Sequence, residues 1–446
     1  MQEPKLFIND IIESNPLGGF QKLVMLLCAL VIIFDGFDVL AIAYAAPALS
    51  AEFNIAKGQL GLVFSAGLIG MMIGALVLGP LGDKYGRRQA VIASVVIFGV
   101  FSVLTGYITS YHELILLRFL TGLGLGGAMP NATALMTEYV AGKMRNIAVA
   151  VIFLGMPIGA ITGGLLAAHT IPAYGWSSIF FWGGWMPLLL VPVLFFWLPE
   201  SPRFLTAQNK DNDALLRRIA RKIARNQTIP PSAVFIHPAE EAQQHSPIKA
   251  LFMPGYARDT LLLWAAFFLN LMVAYFLYSW IPTLLVGSGY ALGQASTTVI
   301  LLNIGGAISP FASAWMMRRW GSRPVIVGYF LLGALSMMLL GKLSASLAML
   351  QVMAFFAGFF IVGGQISLNA LASYIYPTAI RSTGMGWAFG IGRSGSIIGP
   401  VLAGTLIAMA LGLDVYFMVF GAVCVLTATA TLFIRRHEKP VETEDQ

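Results

Sequence analysis

Gly79-Pro80-Leu81-Gly82-Asp83-Lys84-Tyr85-Gly86-Arg87-Arg88 joins two apolar runs, one over residues 58–79 and the next over 89–108. Reversal in so short a connection calls for glycine, and the cations Lys84, Arg87 and Arg88 mark the side of a bilayer on which positive charge collects. Sliding the chain by about 235 residues lays Gly82 to Arg88 onto Met317-Arg318-Arg319-Trp320-Gly321-Ser322-Arg323, as an internal repeat should. In the same register Asp35 falls on Asn270 and Pro47 on Pro282. One residue further along, Arg145 meets Arg381, Gly159 meets Gly395 and Gly163 meets Gly399.

Working outward from that loop, twelve apolar runs are long enough to cross ~30 Å of hydrocarbon, which takes ~20 residues each. They lie near 22–46, 58–79, 89–108, 113–137, 146–168, 177–198, 260–286, 295–317, 323–341, 347–373, 383–409 and 414–434. The composition agrees: 58% of residues are hydrophobic and 11% charged, against about 25% charged in soluble domains. The spacing predicts an all-α membrane protein of two pseudo-symmetric six-helix bundles, over 22–198 and 260–434. A cytoplasmic lead-in (1–21), a polar cytoplasmic linker (199–259) and a cytoplasmic tail (435–446) complete it. Within the linker, Asp211 to Asn226 is helix-friendly and basic, and is read as a solvated helix rather than a membrane-surface or partner site. Ala43, Ala45 and Ala46 after an apolar stretch mimic a signal-peptide cleavage site, but Asp35 and Asp38 inside the run argue that the first span is retained.

A net charge of +7 would suggest nucleic acid for a soluble chain. Here its distribution excludes that reading. Of the 27 Lys and Arg, all but four fall in loops, tails or helix ends on the side of the N-terminus; Lys57 and Lys342 lie outside, and Arg118 and Arg393 within spans. That pattern places both termini in the cytoplasm. Cys28 and Cys424 sit inside spans and are read as packing residues. His112, His169, His237, His245 and His437 fall in loops or the tail, with no metal-ligand spacing, so no metal or haem site is expected, and no cofactor.

Charges inside spans are expensive, at least ~2.5 kcal/mol each near the centre, and therefore mark function. Asp35 and Asp38, three apart on one helix face, lie ~20 and ~24 Å from the cytoplasmic edge at 1.5 Å per residue. Arg118 lies ~21 Å in. An ion pair at that level, opened by protonation of an aspartate, would couple a proton; the alternative is a permanent structural pair joining spans one and four. Arg393, ~18 Å in, has no acidic partner in its own half, which suits a bidentate carboxylate from a substrate, or else a lock to Asp35 or Asp38. Asn131, Asn270, Gln365 and Asn369 are candidate cavity amides. Trp264, Phe267, Tyr275, Tyr278, Trp280 and Trp387 could stack an aromatic ring, although single aromatics in spans are more often packing.

The loop Gly79 to Arg88 resembles the signature of the major facilitator superfamily. Arg118-Phe119-Leu120-Thr121-Gly122-Leu123-Gly124 is similar to a second signature of that superfamily, and Pro199 to Leu205 to one shared by sugar porters and organic-ion transporters. Asp35-Gly36-Phe37-Asp38, Arg118 to Tyr139 and Gly390 to Gly399 together resemble the aromatic acid:proton symporter family, closest to carriers of hydroxylated benzoates. The resemblance covers most of the chain and implies a bacterial inner-membrane symporter importing a small aromatic carboxylate with protons by alternating access. From depth and side-chain chemistry, proton coupling is expected through Asp35, Asp38 and Arg118, and substrate contacts from Arg393, Asn131, Asn270, Tyr275, Tyr278, Gln365, Asn369 and Trp387. A conformational latch of Asp83, Arg87, Arg88, Glu138 and Arg145 is expected on the cytoplasmic side, weaker in the second half, where Arg318 replaces the acid. A monomer in the lipid bilayer is expected. A sugar or other organic-anion carrier is the runner-up, disfavoured because span seven (Phe267 to Val273) lacks the Gln-rich motif of sugar porters. A drug:proton exporter follows, since span five lacks the full glycine-proline signature of that group. An enzyme is disfavoured by the absence of a nucleophile-base pair.

Overall fold

In hydrocarbon each backbone donor and acceptor must be satisfied within its own segment, so an apolar run of sufficient length becomes a helix. The computed structural model describes residues 5–207, 213–224, 234–235, 248–342 and 346–437. Among them are twelve helices long and apolar enough to span a bilayer, one for each predicted run. Spans one to six are Gly19–Glu52, Lys57–Tyr85, Arg87–Thr105, Tyr111–Glu138, Gly142–Tyr174 and Ser177–Trp197; spans seven to twelve are Ala257–Gly287, Leu292–Trp320, Ser322–Lys342, Leu347–Ile375, Ile380–Ala408 and Leu413–Leu432. Several outrun the hydrocarbon, because the helix continues until a breaker stops it. Gly86 and Gly321, matched in the repeat, end spans two and eight with φ of +111° and +82°, a conformation that costs a side-chain-bearing residue more than glycine.

Each bundle is built on the same close pairs. In the first, Gly159 of span five lies so near span one that an added methyl would come within 1.9 Å of the Ile33 carbonyl oxygen. Its repeat partner Gly395, on span eleven, stands in the same relation to Phe268 of span seven, at 2.1 Å. Small faces at these positions let backbones touch where lipid offers no hydrophobic drive to associate.

The described N-terminal and linker pieces dock beneath the first bundle. The helix Ile8–Ser14 buries Ile8, Ile11 and Ile12, and the linker helix Asp213–Ile223 buries Leu216, Ile219, Ala220 and Ile223 in the same cluster. The linker helix is therefore not solvated all round, as the charge count suggested: its apolar residues recur at helical spacing and form one face. Lys5–Leu6 and Val234–Phe235 pair as a two-residue parallel ladder, the β-structure among the described residues. Asp211, Asn226, His237 and His245 lie outside the described residues.

The bundles meet along spans two and eleven, five and eight, and one and seven. The meeting is confined to the face away from the chain ends. There a methyl on Gly61 would come within 2.7 Å of the Pro400 carbonyl oxygen, the Ser65 hydroxyl donates to the Ile397 carbonyl at 2.6 Å, and Phe64 meets Trp280 edge to face. Toward the basic face the same two spans part: Gly79, Gly386 and Gly390 look into open space, Leu76 is 71% exposed and Trp387 46%. A crevice between the halves thus opens on the basic face and is sealed on the other. Gly61→Leu is expected to prevent the seal, so that a cysteine substituted for Val401, which faces Gly61, reacts with an impermeant maleimide applied from the far face. No gain in labelling would show that this contact does not control closure.

Candidate functional site

The three-residue step from Asp35 to Asp38 gives the two acids different surroundings. Asp38 is held inside the first bundle: its Oδ2 lies 3.3 Å from Arg118 Nη1, and its Oδ1 accepts the Ser102 hydroxyl at 2.6 Å. Arg118 Nη2 donates to Thr105 and Thr121, each at 3.1 Å, and the guanidinium lies 4.8 Å from the centre of the Phe180 ring. Spans one, three, four and six are tied at one point. Both charges are sealed from solvent, a geometry in which further hydrogen bonds must offset the cost of desolvation. Ser102, Thr105, Thr121 and Phe180 were not among the expected site residues; the two threonine hydroxyls also bond along their own helices, and a single serine or phenylalanine in a span carries no signal in sequence.

Asp35 is equally buried, yet neither carboxylate oxygen has a hydrogen-bond partner. Arg393, half-buried on span eleven, forms no ion pair among the described residues, and its Nη1 is buried without a partner. The two groups lie within electrostatic reach of each other across the junction of the halves. Tyr275 and Ile397 of the second bundle pack against the first bundle's core.

The second bundle contributes a row of amides. Asn270 Nδ2 donates to Gln365 Oε1 at 2.9 Å, and Gln365 Nε2 donates to Asn369 Oδ1 at 3.2 Å. Tyr275 and Tyr278 meet edge to face at 6.0 Å, and Trp264 stacks on Trp387 at 5.9 Å toward the open mouth. Trp280 serves the seal instead, donating to the Pro400 carbonyl at 3.1 Å.

Asn131 does not join this group. Its amide nitrogen donates to the carbonyls of Leu78 and Gly127, at 3.0 and 2.9 Å, and its Oδ1 lies 3.5 Å from Arg87 Nη1. Gly82 leaves the room for it, since a methyl there would overlap Asn131 Oδ1. Asn131 thus belongs to the polar cluster at the basic face, where Arg87 pairs with Asp83 and lies 3.8 Å from Glu138. Arg88 turns away to the Phe195 carbonyl and ring, and Arg145 is exposed with no ion pair among the described residues, so neither adds to that cluster in this conformation. Glu200, from the stretch after span six, does add to it: its Oε1 accepts the backbone N–H groups of Arg88 and Ser201, at 3.0 and 2.8 Å. The Tyr139 hydroxyl donates to the Glu200 carbonyl at 2.6 Å. The cluster joins the ends of spans two, three, four and six within the first half.

A family model described as Major Facilitator Superfamily matches residues 26–341 and 290–446. The chain is 39% identical over 428 residues to the 4-hydroxybenzoate transporter PcaK of Pseudomonas putida, covering 96% of this chain and 94% of the relative. It is 36% identical over 425 residues to a gallate transporter of the same species (95% and 94%), and 37% identical over 413 residues to the 3-(3-hydroxy-phenyl)propionate transporter of Escherichia coli (92% of each). Among solved structures, a D-xylose-proton symporter superposes with a TM-score of 0.71 at 18% identity, over 93% of this chain and 98% of that one. That likeness concerns the fold.

Proposed function

Because the chain belongs to the major facilitator superfamily, and is a transporter rather than an enzyme, we propose that it imports a hydroxybenzoate-like aromatic carboxylate together with protons. The observation that carries this reading is the contrast between two cations inside spans. Arg118 is paired with Asp38 and bonded to Thr105 and Thr121, whereas Arg393 has no ion pair among the described residues, a buried donor without a partner, and within electrostatic reach an acid, Asp35, whose oxygens are also bare. An unpartnered guanidinium in a crevice is a site for an anion, and its planar fork matches a carboxylate. A neutral sugar offers no such charge. The aromatic acids named for the relatives support the same class.

The coupling follows from competition. With Asp35 protonated, Arg393 is free to take the substrate carboxylate while the crevice faces outward. Once the crevice opens to the basic face, which positive charge marks as cytoplasmic, Asp35 loses its proton and its carboxylate displaces the substrate from Arg393. Asp38 and Arg118 hold span one in register during this exchange. Tyr275, Tyr278 and Trp387 flank the ring, and the Asp83, Arg87 and Glu138 cluster stiffens the first half as the two halves rock.

Right-side-out vesicles bearing the protein and given labelled 4-hydroxybenzoate are expected to accumulate it when an inward proton gradient is imposed. A protonophore should bring uptake to the level of empty vesicles. Accumulation that persists without the gradient would refute proton coupling, and accumulation of sugars in place of aromatic acids would refute the substrate class.

A further inference from the structure

We propose that the amide row Asn270–Gln365–Asn369 reads a ring hydroxyl on the substrate, with Asn270 as the group that touches it. This rests on the reading that Arg393 binds the carboxylate, and it extends that reading to the other end of the ligand. Asn270 is 1% exposed, and after its Nδ2 has donated to Gln365 its Oδ1 remains buried with no partner. Buried polar atoms are almost always satisfied, so an exception beside a ligand crevice points to a group the ligand brings. Gln365 and Asn369 are half-buried, and the row therefore runs from the core of the second bundle to its open side.

Depth places the two ends of the site together. Gly392 packs against Phe267 and Leu271, and Gly395 against the Phe268 carbonyl, so Arg393 and Asn270 stand at nearly the same level of spans eleven and seven. The backbone adds an independent observation. Span ten is wound as a π-helix over Gly358–Val362, just before Gln365, and such single-turn interruptions cluster at functional sites because they turn the following residues to a new bearing. Here they turn Gln365 toward Asn270 on span seven.

The chemistry selects the ligand class. A substrate with a carboxylate alone leaves the Asn270 amide unsatisfied. A phenolic hydroxyl both donates and accepts, so it serves the free amide atom in either orientation of the Asn270 side chain. Phenolic acids are therefore favoured over their unsubstituted counterparts. Gln365 acts as a positioning residue, fixing the Asn270 amide without touching the ligand.

Binding of benzoate, 3-hydroxybenzoate and 4-hydroxybenzoate to the purified full-length protein, measured by titration calorimetry, tests this. At least one hydroxylated acid is expected to bind about tenfold more tightly than benzoate, equivalent to about 1.4 kcal/mol. Asn270→Leu and Gln365→Met should each bring that ratio close to one while leaving benzoate affinity within about threefold. No preference in the natural protein, or an equal loss for all three acids in the variants, would overturn the proposal and leave the carboxylate reading standing. Failure of the natural protein to bind any of the three would overturn the carboxylate reading and this one with it. Should Asn270→Leu not fold, Gln365→Met, at a half-buried position, decides.

Discussion

Arg393→Ala is expected to abolish accumulation of aromatic acid and to weaken its binding by at least about thirtyfold. Removing one member of a buried, hydrogen-bonded charge pair costs about 2–5 kcal/mol, and each 1.4 kcal/mol is a factor of ten in affinity. The loss should fall on the ligand more than on the fold, because the Arg393 guanidinium forms no ion pair among the described residues and leaves a buried donor without a partner. Thermal stability of the unliganded variant is accordingly expected to stay close to that of the natural protein. Arg393→Lys separates charge from shape: the ammonium keeps the attraction but loses the planar fork, so partial binding with an order-of-magnitude loss is expected. Uptake that survives Arg393→Ala unchanged would sink the assignment of this residue to the substrate.

Asp38→Asn is expected to produce the opposite pattern, a structural defect that extends to function. The substitution leaves Arg118 charged and buried without its counter-charge, held by Thr105, Thr121 and the Phe180 ring. Breaking a buried pair from one side is destabilising by about 3–5 kcal/mol, which should appear as a marked fall in the detergent melting temperature. The double variant Asp38→Asn, Arg118→Gln removes both charges and should regain much of that stability, since replacing both members of such a pair is far milder than removing one. If the pair does no more than hold spans one and four together, the double variant will also recover gradient-driven uptake. That recovery is the expected result, because Asp35 and Arg393 carry the exchange; folding regained without coupled uptake would show that Asp38 and Arg118 take part in the coupling itself. Asp35→Asn gives the companion measurement: the fold is expected to be retained, and exchange of substrate across the membrane to persist while accumulation is lost.

Very different amounts of this were legible in the residues. The span count, the division after residue 198 and the internal repeat could all be read from the chain, because hydrocarbon tolerates few alternatives to a helix of sufficient length. The pairing of Asp38 with Arg118 was within reach as well, since depth along a span is a matter of counting. Depth does not give bearing, however. Asp35 and Asp38 differ by three residues, or about 60° around the helix, and that rotation sends one carboxylate to Ser102 and Arg118 while leaving the other bare at the junction of the halves. The same limit misplaced Asn131, a polar residue in a span that faces the end of span two and not the crevice. It also hid the apolar face of Asp213–Ile223 behind its positive charge.

By itself, then, the sequence determined a twelve-span chain of two halves, related in scaffold through Gly86 and Gly321, Gly159 and Gly395, and unlike in charge, with Asp35 opposite Asn270 and Asp83 opposite Arg318. Only the tertiary structure decided which buried charges are satisfied and which face of the molecule is open. Hydropathy and spacing are properties of one helix in a solvent, whereas satisfaction of a guanidinium or an amide depends on which other helix turns a partner toward it. The bare Asp35, the free donor of Arg393 and the free oxygen of Asn270 all arise where spans from different parts of the chain converge.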